Sequence, residues 1–294
     1  MKVALVTGSN SGFGLNGALA FARSGYRVYA TMRDRSKGNV LRDLAGEEGL
    51  EIRIETLDMN QPSTFNACIS RIIDESGGID VVVNNAGISR AGVLEDTPEK
   101  TLRTVMETNY FGPVLLSKAV LPYMRERRSG HIIMVSSLSG LAGLPGDFSY
   151  TSSKFALEGA TEAMRHEVDR WGIKVSLVEA GMYSTNLLGK SKDGEKSIFH
   201  QSYDKDSPYK ELMEYKLQRI KDRLAEAFDP KIVGDLFVEI AKSNGKHFRW
   251  TADPVAKNVI SQLHGHDDIS RDHYLREISD TDWWSEGKVF PTEV

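Results

Sequence analysis

Six short runs of consecutive apolar and β-branched residues punctuate the first 180 positions: KVALVT (2–7), RVYATM (27–32), EIRIETL (51–57), DVVVN (80–84), HIIMVS (131–136) and KVSLVE (174–179). Runs that are apolar at neighbouring positions belong to strands covered on both faces. Between them apolar residues return every three or four positions, the spacing of a helix with one buried stripe. This alternation predicts an α/β fold, a single doubly wound parallel sheet with helices on both faces. Such a sheet binds ligands at the carboxyl ends of its strands.

Beyond Gly181 the pattern loosens. Residues 186–229 are polar and mixed, with KSKDGEKS reading as an exposed loop and YKELMEYKLQRIKDRLAEAF as an amphipathic helix. An insertion of this length beside a strand end is expected to act as a substrate lid. DPKIVGDLFVEIAKS then opens with Asp229 as N-cap and Pro230 at the first helical position, and KHFRWTA is the expected last strand. There is no internal repeat and no second alternating sheet, so residues 1–294 read as one domain. Its core runs over about 2–250, and a C-terminal extension over about 252–294.

Composition adds exclusions. With 40% apolar and 27% charged residues, a net charge of −4 and no long block of one sign, the chain has no electrostatic footprint for nucleic acid or an anionic membrane. Its longest apolar stretches fall short of the roughly 20 residues of a spanning helix. MKVALVTG enters a strand pattern at once, without the apolar region of a signal peptide, so a cytoplasmic location is expected. The lone Cys68 sits in FNACISRII, on the apolar stripe of a helix, and reads as an inert core thiol.

The chemistry gathers at strand ends. After the first strand comes TGSNSGFG (7–14), with glycines at 8, 12 and 14, followed by a helical pattern. A glycine turn between strand and helix lets backbone approach a pyrophosphate, whose charge the helix start favours. Further along stand NNAG (84–87) after the fourth strand, Asn109 in TNYFG, Ser137 in VSSLSG and YTSSK (150–154). If helical, YTSSK places Tyr150 and Lys154 on one face, one turn apart.

In their order and spacing these motifs resemble the short-chain dehydrogenase/reductase family over about residues 2–250. YATMRD and SYTSSKFALEGATEAMRHEV look most like its hydroxysteroid and retinol dehydrogenase branch. The resemblance implies a Rossmann-type fold and an NAD(P)-dependent enzyme acting on CH–OH donors. Tyr150 is then the acid/base, Lys154 lowers its pKa and binds the nicotinamide ribose, Ser137 donates to the substrate oxygen, and Asn109 distorts a helix and holds a relay water. It also implies cofactor contacts from Gly8, Ser9, Asn10, Ser11, Gly12, Phe13, Gly14, Asn85, Ala86, Gly87, Asp58 and Met59, with Tyr150 and Lys154. In the loop after the sixth strand it adds Gly181, Tyr183 and Thr185. There EAGMYST has Ala180 where the family has proline, and Tyr183 where it has a small aliphatic residue.

At the end of the second strand YATMRDRSK puts Met32 in the family's acid position and Arg33 in the basic position of NADP-preferring members, with Arg35 and Lys37 beyond. NADP is therefore the expected cofactor. Asp34, 20 residues after Gly14, keeps NAD as the alternative, with a smaller hydroxy compound as substrate.

The expected reaction interconverts a secondary alcohol and a ketone on a fairly large apolar substrate such as a steroid, retinoid or aryl ketone. Leu138, Leu141, Leu144 and Tyr183 are expected near it. A non-catalytic redox sensor would not need Ser137, Tyr150 and Lys154, and an extended-family epimerase would show a different glycine spacing. HGHDD (264–268) reads as a solvated loop, so no metal is expected. Trp283 and Trp284 are expected to pack on the body. The helices carrying GPVLLSKAVLPYMRE and YTSSK imply, by resemblance, a homodimer or homotetramer.

Overall fold

Each apolar run becomes a strand, because residues buried on both faces gain most when the backbone is paired on both edges. They are β1 (Val3–Thr7), β2 (Arg27–Met32), β3 (Ile52–Thr56), β4 (Val81–Asn84), β5 (Gly130–Val135), β6 (Ile173–Glu179) and β7 (Arg249–Thr251). The computed structural model describes residues 1–187 and 206–288, so KSKDGEKS lies outside the described residues. All pairings are parallel, in the order β3-β2-β1-β4-β5-β6-β7.

The helices are α1 (Gly12–Arg23), α2 (Asn39–Glu47), α3 (Phe65–Ser76), α4 (Glu99–Met106), α5 (Gly112–Arg127), α6 (Phe148–Val168), α7 (Lys210–Leu224), α8 (Lys231–Lys242), α9 (Pro254–Gly265), α10 (Asp268–Ser279) and α11 (Asp282–Ser285). One core layer joins Phe21, Val28, Leu41 and Phe237 between the sheet and α1, α2 and α8. The other joins Leu5, Ile69, Leu116, Ile132 and Leu157 beneath α3, α5 and α6. Cys68 belongs to the second layer, and burial pushes its thiol up to about 11.

Chain direction fixes the position of the site. From β1 the sheet grows outward to β2 and β3, then resumes on the other side at β4. The crevice between the carboxyl ends of β1 and β4 is thus the switch point where a doubly wound sheet opens for a ligand.

Two boundaries differ slightly from expectation. The amphipathic helix stops at Leu224, because Phe228 forms a parallel bridge with Tyr183 and donates its N–H to the Met182 carbonyl. In α8 the helix starts one residue later than expected, with Pro230 in place of Asp229 as N-cap, and the Asp229 carboxylate accepts the Lys231 N–H at 2.8 Å from just ahead of it.

The C-terminal extension folds back onto the body. Trp283 is buried edge-on to Tyr215, and Trp284 packs with Tyr209, Val93, Leu212 and Met213. HGHDD serves structure: Asp267 caps α10 by accepting the Ser270 N–H, and the His266 ring stands edge-on to Tyr274. Among the described residues no helix is long and apolar enough to cross a membrane.

Candidate active site

The glycine turn is held from behind. Gly8 and Gly12 have φ of 67° and 55°, in the left-handed region open to glycine. A Cβ on Gly14 would stand 2.4 Å from the Gly8 carbonyl oxygen, and one on Gly8 would stand 2.8 Å from Ala86 Cα. The Asn85 carboxamide donates to the carbonyls of Thr7 (2.9 Å) and Gly8 (3.3 Å), while Thr7 Oγ1 accepts the N–H groups of Asn85 and Ala86. NNAG therefore buttresses the turn across the switch point. Ser11 caps α1 without a side-chain bond, and Asn10, Ser11, Gly12 and Phe13 remain partly accessible around the helix start. Backbone amides at such a start suit a pyrophosphate, and the cradle leaves no room for side chains. These residues fit a dinucleotide.

At the end of β5, Ser137 and α6 bring the polar set together. The Tyr150 phenol lies beside the Ser137 hydroxyl, whose oxygen accepts the Ser139 N–H at 3.2 Å. Lys154 Nζ lies 5.6 Å from the Tyr150 ring centroid and donates to the Val135 carbonyl at 2.7 Å. Between α4 and α5 the chain winds as a π-helix over Glu107–Phe111, with Asn109 buried at its centre. Its amide donates to the Ile88 carbonyl and to Ser153 Oγ, and its carbonyl accepts the Ile88 N–H. A π turn adds a residue to the helix and turns Asn109 inward, tying the segment after NNAG to α6.

Electrostatics separate the pair. Burial pushes the Tyr150 phenol far above its usual range; the Ser137 hydroxyl pulls it back, and the carboxyls of Asp147 and Glu179 add to the rise. Burial pulls the Lys154 ammonium down to about 8, opposed by Glu158 and Glu179. The phenol therefore keeps its proton at neutrality.

The short chain dehydrogenase family model matches residues 2–196. This chain belongs to the short-chain dehydrogenase family. It is 32% identical to the 3-ketodihydrosphingosine reductase of Bacteroides thetaiotaomicron over 261 residues, 89% of this chain and 91% of that one. It is 40% identical to retinol dehydrogenase 8 of Bos taurus over 193 residues, 64% of this chain and 61% of that one. A short-chain dehydrogenase from Streptomyces avermitilis superposes with a TM-score of 0.76 at 30% identity, covering 98% and 99% of the two chains. The chain is thus an NAD(P)-dependent dehydrogenase/reductase, on the side of the family that includes retinol dehydrogenases.

Within this short-chain dehydrogenase several expected contacts are displaced. Ser9 is fully buried, its hydroxyl donating to the Val6 carbonyl and its N–H to that of Thr31, so it shapes the turn and is withdrawn from a cofactor. The Met59 side chain is buried in the core, where a Cβ on Gly112 would stand 2.6 Å from its Cβ. Tyr183 is 2% exposed, with its ring between Phe13 (5.0 Å) and Phe228 (5.6 Å), so its side chain does not line the cleft as expected. Leu138, Leu141 and Leu144 are half-buried and pack with Val259, Leu263, Tyr274, Leu275 and Ile278 of α9 and α10.

The remaining residues of the set follow the carboxyl ends of β2, β3, β4 and β6. Thr185 reaches the turn, its Cβ 3.3 Å from the place of a Gly12 Cβ. Gly181 donates its N–H to Asp253 at 2.9 Å, and Asp253 also accepts the Ala256 N–H as cap of α9. Gly87 lies beside Asn109, and Asp58 accepts the Asn60 N–H. Arg33 is exposed at the end of β2, while the Asp34 carboxylate accepts both the N–H and the hydroxyl of Ser36.

Sequence reasoning missed two groups. Asp147, whose carboxyl is pushed up by burial and pulled back by Lys216 and Ser89, lies near Tyr150, and Lys216 of α7 donates to the Pro145 carbonyl. Glu158 and Glu179 are buried behind Lys154. The signal for the second was a pair of acids inside apolar patterns, on a helix face and at a strand end.

Proposed function

We propose that the protein is an NADP-dependent oxidoreductase interconverting a ketone and a secondary alcohol on a fairly large apolar substrate. The convergence of Tyr150, Ser137 and Lys154 beside the glycine turn carries this reading. The neutral Tyr150 phenol is the proton donor to a carbonyl oxygen, and the Ser137 hydroxyl is the second donor to that oxygen. Lys154 favours the phenolate left behind, because its ammonium lies one helical turn away. Asn109 fixes the backbone of Ile88 and the hydroxyl of Ser153 next to α6, keeping this geometry. When bound, the nicotinamide exchanges a hydride with the substrate carbon, and its oxidised form adds positive charge near Tyr150.

The cofactor preference rests on Arg33. Its guanidinium is free to meet a 2′-phosphate from the end of β2, whereas Asp34, the acid that would favour NAD, is committed to Ser36. Relatives named for a ketodihydrosphingosine and for retinol support an apolar substrate. We read residues 1–294 as one catalytic domain, with α7 as part of the lid over Tyr150. Phe111, Tyr123, Phe148 and Phe155 are exposed on and beside α5 and α6, which supports a homodimer or homotetramer through these helices.

A panel of long-chain, steroid-like and aryl ketones assayed with NADPH and NADH tests the reading. NADPH-dependent reduction of at least one is expected. Binding of neither cofactor, followed by fluorescence, would overturn it.

A further inference from the structure

Behind Lys154 two carboxyls are buried where neither packing nor solvation calls for them. Glu158, one helical turn beyond Lys154 on α6, is 5% exposed, and Glu179, the last residue of β6, is fully buried. No N–H or O–H group of the described residues reaches either oxygen of Glu179 or Oε1 of Glu158. The space is prepared for them: a Cβ on Gly140, in the turn after Ser137, would stand 2.9 Å from Glu158 Cγ and 2.7 Å from Ser136 Oγ. Buried acids without donors are costly to stability, and a fold that keeps two of them together is using their charge.

The surroundings decide how that charge is arranged. Arg249 of β7 lies 3.2 Å from Glu158 and 2.8 Å from Glu162, but 3.9 Å from Glu179. The guanidinium therefore pairs with Glu158, with Glu162 on its outer side, and stands off Glu179. From α6 the titratable groups acting on Glu179 are Glu158 and Lys154, with Tyr150 beyond; from β7 it is Arg249. Two carboxyls buried around one guanidinium do not both ionise in such a site. A proton on Glu179 supplies a donor for Glu158 Oε1, and burial, helped by the neighbouring Glu158, pushes the Glu179 carboxyl well above the usual carboxylate range.

We propose that Glu158 and Glu179 form a buried acid pair that holds one proton on Glu179 and, through the remaining charge on Glu158, keeps Lys154 cationic. They are positioning residues, acting on Tyr150 through Lys154, and the proposal rests on the reading of Tyr150 and Lys154 given above. Without the Glu158 charge the ammonium of Lys154 is opposed by burial alone. It then loses its proton at lower pH, and the phenolate of Tyr150 loses its partner.

Two measurements on the full chain test this. Infrared difference spectra of the cofactor-free protein at pH 8, wild type minus Glu179→Gln, are expected to show the C=O band of a protonated carboxyl. Its absence overturns the pair whatever the activity, so it separates this proposal from the functional reading. The pH profile of kcat/KM for ketone reduction is expected to lose its alkaline limb earlier in Glu158→Gln, by about one pH unit. Glu179→Gln keeps a neutral donor in place and is expected to move that limb by less than about a third as much. A purely structural pair would lower thermal stability in both variants and leave the limb where it is, and equal shifts in the two would place the proton wrongly; either result contradicts the proposal.

Discussion

At the crevice between β1 and β4 the backbone fixes the geometry, whereas across the cleft side chains do. At the glycine turn a would-be Cβ on Gly14 stands 2.4 Å from a backbone oxygen and one on Gly8 2.8 Å from Ala86 Cα, and the Asn85 carboxamide and Thr7 hydroxyl tie the two backbone segments together. The loop carrying Ser137 is instead steadied by Leu138, Leu141 and Leu144 packing on α9 and α10, and by Arg271 donating to the Leu141 carbonyl. Backbone clamps tolerate almost no substitution, while side-chain packing admits many volume-conserving solutions. The cofactor end is thus the rigid half and the substrate end the adjustable half, a division that lets one scaffold serve many substrates.

Three substitutions break or sharpen this contrast. The largest effect is expected at Gly14→Ala, whose methyl meets backbone: NADPH binding weakens by about ten- to a hundredfold, read by fluorescence titration. Next comes Leu263→Ala, which removes buried volume above the Ser137 loop. A stability loss of about 2–4 kcal/mol in denaturant melts and a raised KM for ketone are expected, with NADPH affinity little changed. If Leu263→Ala weakened NADPH as much as Gly14→Ala does, the two halves would not be separable. The smallest is Arg33→Ala, expected to weaken NADPH about tenfold and leave NADH unaffected.

The same contrast explains what the sequence could reveal. Strands β1 to β6 were legible because burial on both faces leaves continuous apolar runs, and Gly8, Gly12 and Gly14 because only glycine accepts their dihedrals or their neighbours. Tyr150, Lys154, Ser137 and Asn109 were legible as a spaced set. The inward turn of Ser9 and the burial of Tyr183 between Phe13 and Phe228 were not, since a local pattern says which residues lie near a turn but not which way each side chain faces. The pairing of Leu141 with α9 and α10 joins segments more than a hundred residues apart, and Glu158 with Glu179 joins a helix to a strand. Neither pairing has a signature along the chain, although each acid stands out inside its own apolar pattern.

Tyr150→Phe, assayed for NADPH oxidation by a ketone that the wild type reduces, tests the central claim most directly. Loss of the phenolic proton is expected to lower kcat by about 10²–10⁴-fold while NADPH still binds as in the wild type. Turnover by Tyr150→Phe at the wild-type rate would contradict the account.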